Sequence, residues 1–268
     1  MHCRQIVEGD FDTLVDIFMQ AFPHHARDFW YLGLARMAAL PSIEGGSRFG
    51  YGLEGEDGLV GALLTITSRR GENIISNVSS WYVQEAYRAH AALLNVMATR
   101  LKHVTYLNIS PAEHTWPMLR ASGWTQYNFG RSAAFTALGL GGGKVREKIP
   151  ADLPERALLE DHRKLGCISV VCENNGIVSP FVFKPRRLAH PPLPMLELIY
   201  CRDPCAFERC GAALGRYFLT RGCVGFILDG KSASPVSRYV PGMEPRFYKG
   251  PRPPTLNDLA YTERVFFK

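Results

Sequence analysis

The chain has 268 residues, of which 46% are hydrophobic and 21% are charged, a balance typical of a folded domain and not of a disordered chain. At this length it can bury one large core or two modest ones. The net charge of +6 suits a phosphate-rich ligand or weak adsorption to nucleic acid, but no interleaving of aromatic and basic residues indicates a specific nucleic-acid partner. No apolar run approaches the roughly 20 residues of a membrane span.

The cysteine spacing and the N-terminal residues predict the redox state of the thiols and the cellular compartment of the protein. The seven cysteines are an odd number, and the closest three, Cys201, Cys205 and Cys210, do not have the spacing of a zinc site. We therefore predict reduced, mostly buried thiols and no metal cofactor. The first residues, MHCRQIVEGDFD, carry charges where a secretion signal would be apolar, which predicts a cytoplasmic protein.

The first half of the chain alternates between strand and helix patterns. Capping residues and turn residues mark several boundaries: Asp10 or Asp12 before the first helix, Gly55-Glu56-Asp57-Gly58 inside a hairpin, and Gly123 after a helix. The predicted elements are a strand at 3–8, helices at about 10–21 and 24–38, strands at 48–54, 59–67 and 73–83, a helix at 89–102, a strand at 104–109, a helix at 114–122 and a strand at 125–136. The order βααβββαβαβ predicts a mixed α/β layer around one core.

The second half repeats the order helix, hairpin, strand, helix, strand after a glycine-rich segment, LGLGGG at 138–143. The predicted elements are a helix at 152–165, strands at 167–172 and 180–184, a strand at 195–200, a helix at 204–220, a strand at 224–228, and closing strands at 245–248 and 259–267. The two halves share an order of elements more than residues, which suggests a duplication. We predict an N-terminal lobe at 1–137, a linker at 138–150 and a C-terminal lobe at 151–268.

The stretch IISNVSSWYVQEAYRAHAALLNVMATRL, residues 74–101, carries the clearest functional signal. A β-branched strand ends at Val83, a polar turn contains Arg88, and an amphipathic helix follows at once. A strand that leads through a small-residue turn to a helix N-terminus can bind a pyrophosphate with main-chain amides.

This stretch, with the order of elements around it, resembles the GNAT superfamily of acyl-CoA-dependent N-acyltransferases. The resemblance covers residues 1–136, and the whole chain is similar to a tandem, two-lobed member. VQEAYRAHA at 83–91 parallels the family's R/Q-x-x-G-x-G/A turn, with Arg88 at its first position and Ala91 at its first glycine. Leu93 stands where Gly or Ala is usual, and we expect it to point into the helix–sheet core. The resemblance implies an α/β (mixed α+β) fold, a twisted mixed sheet with helices on both faces, in two GNAT-like lobes.

The resemblance also implies a place for acyl-CoA as co-substrate. In the family, strands four and five splay apart and expose main-chain amides to the pantetheine arm; here that gap would lie between residues 79–83 and 106–110. The implied cofactor-binding residues are Trp81, Tyr82, Val83, Arg88, Ala89, His90, Ala91 and Ala92.

The candidate catalytic residues are Ser80, Asn108 and His114, which follow from position and chemistry. No carboxylate occurs between Glu72 and Glu85, where family members often place a glutamate, so we expect a water relay through Ser and Asn side chains. Leu119 stands where the family's tyrosine protonates the thiolate. These polar residues could instead satisfy a solvated sheet edge, and His114 could be simply solvated.

The predicted function is transfer of an acyl group from acyl-CoA to an amine-bearing small molecule or peptide by direct attack. The second lobe has no phosphate-turn signature and is expected to shape the substrate or to be structural. Two alternatives remain open. One is a catalytically silent protein that binds acyl-CoA or a small molecule on the same fold; the other is a transferase that uses aminoacyl-tRNA.

Overall fold

The computed structural model describes residues 1–44, 46–56, 58–139, 141–187 and 192–267. The chain forms two compact units. Unit 1 contains Met1–Gln126, Arg246–Pro254 and the C-terminal residues from Tyr261, and unit 2 contains Tyr127–Pro245 and Thr255–Ala260. Among the described residues, no helix combines the length and hydropathy needed to cross a bilayer.

Unit 1 is a mixed sheet in the order β1-β2-β3-β4-β5-β12 with helices packed on it. Its elements are β1 His2–Gln5, α1 Phe11–Ala21, α2 Arg27–Ala38, β2 Gly50–Gly55, β3 Gly58–Arg70, β4 Asn73–Val83, α3 Ala91–Ala98, β5 Val104–Asn108, α4 Trp116–Ala121, the last residues of β12 (Ser237–Lys249) and α7 Glu263–Phe266. The helix α1 buries Leu14, Ile17 and Phe18, the face that the sequence pattern predicts. Gly123 ends α4 with a left-handed φ of +81°, as expected of a helix cap.

Unit 2 also has a mixed arrangement of strands, in the order β12-β6-β11-β10-β9-β8-β7. Its elements are β6 Thr125–Ala134 from Tyr127 onward, β7 Lys144–Arg146, α5 Arg156–Lys164, β8 Ile168–Asn174, β9 Ile177–Arg187, β10 Pro194–Cys201, α6 Pro204–Leu219, β11 Gly225–Asp229 and the first part of β12. Asn175 and Gly176 join β8 to β9 with φ of +50° and +76°, the geometry of a tight hairpin turn. The predicted mixed α/β fold is confirmed.

Each unit takes one strand from the other half of the sequence. The end of β12 pairs with β5 in unit 1, from Phe247↔Asn108 to Lys249↔Tyr106. In unit 2, β6 pairs with β11, from Phe226↔Ala134 to Asp229↔Arg131. The predicted division at 138–150 therefore differs from the compact units, and that segment contains β7, which pairs with β8.

Several predicted boundaries need correction. The strand expected at 259–267 is absent from the described residues there, which instead form the short helix α7. The helix expected at 89–102 is α3 at Ala91–Ala98; it ends where the hydroxyl of Thr99 donates to the carbonyl of Asn95 at 2.8 Å and so satisfies an end carbonyl. Asp57 of the predicted hairpin turn and Leu140 of the predicted linker lie outside the described residues.

A substitution of Phe247 tests whether the end of β12 packs in the core of unit 1. Its side chain is 0% exposed, and its ring centroid lies 6.4 Å from that of Trp116. We expect Phe247→Ala to lower the free energy of unfolding of unit 1 by about 3–5 kcal/mol, because it removes buried area and leaves a cavity. Denaturant unfolding followed by tryptophan fluorescence measures this, since all four tryptophans belong to unit 1.

The matched control is Leu32→Ala on α2 of the same unit, because Leu32 is 51% exposed. We expect this control to stay within about 0.5 kcal/mol of the unchanged protein. Equal unfolding midpoints for the two variants would contradict the packing of β12 in the core of unit 1.

Candidate functional site

The strand β5 pairs with only the first part of β4. The parallel register runs from Ile74↔Val104 to Asn77↔Leu107, whereas β4 continues to Val83. The other edge of β4 stays paired with β3 as far as Val83↔Gly61. In the described part of the chain, no strand pairs with residues 78–83 on the β5 side. This gap leaves main-chain donors and acceptors of β4 available to a ligand.

A β-bulge reshapes β4 along the gap. Between the pairs Leu64↔Ser79 and Ala62↔Tyr82, β4 has one residue more than β3. Ser80 accommodates the bulge with a left-handed φ of +49°, and its Oγ lies 3.1 Å from that of Ser79. Bulges change the direction of the side chains that follow them. Trp81 and Tyr82 are half-buried here, and Trp81 packs against the core of unit 1.

The predicted phosphate turn is a 3₁₀ helix, Glu85–His90, that runs directly into α3. The amide of Ala91 already donates to the carbonyl of Arg88, so this turn is wound more tightly than an open glycine turn. The first amides of the 3₁₀ helix have no acceptor within the helix. The exposed residues of the turn and of the start of α3 are Glu85, Ala86, Arg88, Ala89, His90, Ala92 and Leu93.

The expectation that Leu93 points into the core is wrong. Its side chain is 38% exposed, whereas the adjacent Leu94 is 0% exposed and occupies the inward position. The Leu at this motif position therefore lies on the outer surface of α3.

A carboxylate that the sequence analysis did not consider lies where the β4–β5 pairing ends. Glu263, the first residue of α7, accepts a hydrogen bond at Oε1 from the hydroxyl of Ser110 at 2.5 Å. Its Oε2 accepts another from Nδ2 of Asn77, the last residue of β4 that pairs with β5. Asn77 is 1% exposed, and its Oδ1 has no hydrogen-bond partner in the described structure. One anionic group and one open acceptor thus lie together at the base of the gap.

Packing fixes α7, and therefore Glu263, on α2. The ring of Phe267 lies against Gly33, where a β-carbon would be 2.1 Å from the ring. A guanidinium nitrogen of Arg36 donates to the carbonyl of Phe266 at 2.6 Å. Val265 and Phe266 are both 0% exposed. Glycine at position 33 is required by this contact.

Unit 2 repeats the arrangement of strands but closes its gap. The β10–β11 parallel register runs from Met195↔Gly225 to Glu197↔Ile227, and β10 has a bulge between Leu198 and Tyr200. Beyond this register, the edge of β10 is occupied by the segment 257–259 of the same unit. Three contacts define this closure: the amide of Leu259 donates to the carbonyl of Ile199 at 2.7 Å, Asp258 forms a bridge with Tyr200, and the amide of Asp229 donates to Oδ1 of Asn257 at 2.7 Å. The chain itself therefore uses these main-chain groups.

Ion pairs fill the base of the closed gap. The guanidinium of Arg131 on β6 lies 2.8 Å from Glu197 on β10, 3.2 Å from Asp229 on β11 and 2.8 Å from Glu244 on β12. Arg131 and Glu197 are at most 1% exposed. One cation thus joins four strands of unit 2, which makes this location a structural centre.

The predicted site residues are not all brought together. Val83 is buried and paired with Gly61; Asn108 ends β5, is 8% exposed and pairs with Phe247. His114 is exposed in the 3₁₀ helix Glu113–Thr115, and Leu119 is 0% exposed. The contact at the base of the gap joins Asn77, Ser110 and Glu263 instead. Thr262 followed by Glu263 is a helix-start pattern that could have indicated α7.

The cysteines offer no nucleophile at the gap. All seven are free thiols; four are buried and only Cys205 is exposed. Burial raises the pKa of Cys201 far above neutrality, so it remains a thiol. Among the described residues, no group of three or more His, Cys, Asp or Glu side chains could hold a metal ion.

The fold is shared with solved structures of acyltransferases. No protein-family model matches the chain, and no curated protein sequence does. A GCN5-related N-acetyltransferase from Anabaena variabilis is similar with a TM-score of 0.61 at 9% identity, over 92% of this chain and 72% of that one. The chain has the GNAT fold.

Two further solved structures are similar over most of the chain. A GCN5-related N-acetyltransferase from Kribbella flavida has a TM-score of 0.58 at 13% identity, over 92% of this chain and 70% of that one. Eis1 from Mycobacterium abscessus has a TM-score of 0.52 at 12% identity, over 92% and 72%. At such identities the similarity concerns the GNAT fold alone.

Arg131 allows the structural role of the unit 2 gap to be measured. We expect Arg131→Met to destabilise unit 2 by about 3–5 kcal/mol, because the buried Asp229 would lose the cation beside it and the buried Glu197 would keep only the more exposed Arg186, 3.5 Å away. Denaturant unfolding followed by far-UV circular dichroism measures the loss. The control Arg146→Met removes an exposed pair with Glu173 and should cost at most about 1 kcal/mol. Equal losses in the two variants would contradict a structural centre at Arg131.

Proposed function

We propose that the protein is an N-acyltransferase that moves an acyl group from acyl-CoA to an amine at the gap of unit 1. The observation that carries this proposal is the unpaired edge of β4 beside the carboxylate of Glu263. A GNAT fold whose similar structures are described as acetyltransferases supports it.

The gap suits the pantetheine arm of acyl-CoA. An extended arm with amide groups can add to the free edge of β4 as a further strand would. The diphosphate would then lie at the 3₁₀ turn, where Arg88 supplies a positive charge and the first amides face outward. The proposed donor-binding residues are Trp81, Tyr82, Val83, Arg88, Ala89, His90, Ala91 and Ala92.

Glu263 replaces the expected water relay as the group that accepts the proton of the amine. The amine nitrogen attacks the thioester carbon, so a C–N bond forms and the C–S bond breaks. The nitrogen loses a proton to the carboxylate, and the thiolate leaves and takes a proton from water, since Leu119 has none to give. Asn77 and Ser110 hold the carboxylate in place by donating to its two oxygens.

Glu263 also bears on the alternatives. Leu93 and Leu119 suggested a catalytically silent protein, but a silent binding site does not require an anchored carboxylate at the reacting end of the gap. Ser80, Asn108 and His114 remain candidates for contacts with the acyl group or the acceptor.

Donor binding and turnover test the proposal directly. We expect calorimetry to detect binding of at least one acyl-CoA among acetyl, medium-chain and long-chain forms, and we expect free thiol to appear when amines are added. Failure of every acyl-CoA to bind would contradict the proposal. Binding without thiol release across the amine panel would identify a binding protein instead.

The role of Glu263 is tested by its amide. We expect Glu263→Gln to lower kcat by about 10²–10⁴-fold, because the amide keeps the size of the side chain but cannot accept the proton. The dissociation constant for acyl-CoA should be unchanged, since the pantetheine contacts lie on β4. Raising the pH should partly restore the rate by supplying neutral amine.

The matched control is Glu72→Gln, an exposed acid of the same unit in the turn before β4. This variant should retain full kcat. If Glu263→Gln folds with an unchanged unfolding midpoint and also retains full kcat, Glu263 is not the base.

A further inference from the structure

The helix α3 exposes an apolar face next to the proposed phosphate turn. Leu93 and Val96 are 38% and 57% exposed, and Ala89 and Ala92 are exposed beside them. The spacing of these four residues places them on one side of the helical segment. The opposite side, with Leu94 and Ala98, is buried in unit 1.

A surface helix normally presents polar side chains outward. Between residues 89 and 98, only His90 and Asn95 are polar, and Asn95 is buried and accepts a hydrogen bond from the indole of Trp124. The outward side of α3 therefore has the composition of a face that is covered by a partner.

The charges around this face specify the kind of partner. Arg88 and His90 precede it, and Arg100, Lys102 and His103 follow it, all of them exposed. Glu85 is the single acid between residues 84 and 103. A basic rim around an apolar centre is complementary to a protein with an acidic surface and a few apolar anchors.

A pantetheine arm can also enter the gap while it is attached to a protein. Coenzyme A brings a diphosphate and a further phosphate on its ribose, whereas a pantetheine arm attached to a protein brings a single phosphodiester. The carrier of such an arm would stand where the nucleotide would otherwise be, beside the outer face of α3.

We propose that the outer face of α3 docks a small acidic acyl carrier protein, which delivers its acyl group on a phosphopantetheine arm into the β4 gap. This inference rests on the proposed function and specifies its donor. The bonds are the same as with acyl-CoA: C–N forms, C–S breaks, and the carrier keeps its arm as a free thiol.

The experiment compares two donors of the same acyl group, acyl-CoA and an acylated acyl carrier protein, in thiol-release assays with the full chain. We expect the carrier-borne donor to have the lower KM, and this KM to rise with salt because exposed charges are screened. Val96→Asp, which lies outside the phosphate-turn motif, should raise the KM for the carrier by at least about tenfold and leave the KM for acyl-CoA within about twofold.

The control is Leu219→Asp on α6 of unit 2, where Leu219 is 50% exposed; it should change neither KM. Equal KM values for the two donors, or a Val96→Asp variant that leaves the carrier KM unchanged or alters both donors alike, would overturn the docking site and leave the proposed function intact. Absence of transfer from both donors would overturn the proposed function and the docking site together.

Discussion

The pairing of the end of β12 with β5 is the interaction on which the rest of the structure depends. It returns the chain to unit 1 after residue 245 and places Phe247 in the core of that unit. The tail beyond β12 serves both units: residues 255–260 belong to unit 2, and the residues from Tyr261 belong to unit 1. The tail is continuous and begins where β12 ends. The end of β12 therefore determines the position of the segment that closes the gap of unit 2 and of the carboxylate at the gap of unit 1. Neither unit could be formed by a consecutive half of the sequence.

The two gaps show how one strand geometry can be used for stability or for chemistry. Both units pair two parallel strands briefly and then place a bulge on the longer strand. In unit 2, segment 257–259 satisfies the main-chain groups, and Arg131 compensates the buried acids at their base. In unit 1, the tail contributes a side chain, Glu263. On its β5 side, the edge of β4 beyond Asn77 has no strand partner in the described chain. Buried polar groups must be satisfied somewhere, so an edge left open in the protein is suited to a ligand.

The sequence predicted the elements whose signals are local. The limits of β4 agree with the structure, and so does the order of the first ten elements, because β-branched runs, caps and glycine turns act over a few residues. The exchange of β6 and β12 depends on partners more than about 90 residues apart in the sequence and leaves no local signal. The aromatic tail was predicted as a strand because the contact that stabilises its helix is also distant in sequence. Phe266 and Phe267 pack on α2, and this contact stabilises a helix of four residues. Glu263 could not be placed in the site without that contact.

The two leucines that depart from the family's pattern act through opposite environments. Leu119 is fully buried, so its side chain stabilises the core of unit 1. Leu93 is exposed, so a large apolar side chain at a position of small residues gains no core contact. A large apolar side chain that neither packs in the core nor is well hydrated adds stability only when another surface covers it. For α3 the cover must also tolerate the basic residues at both ends of the helix, which makes an acidic protein surface the better match than a second copy of this basic chain.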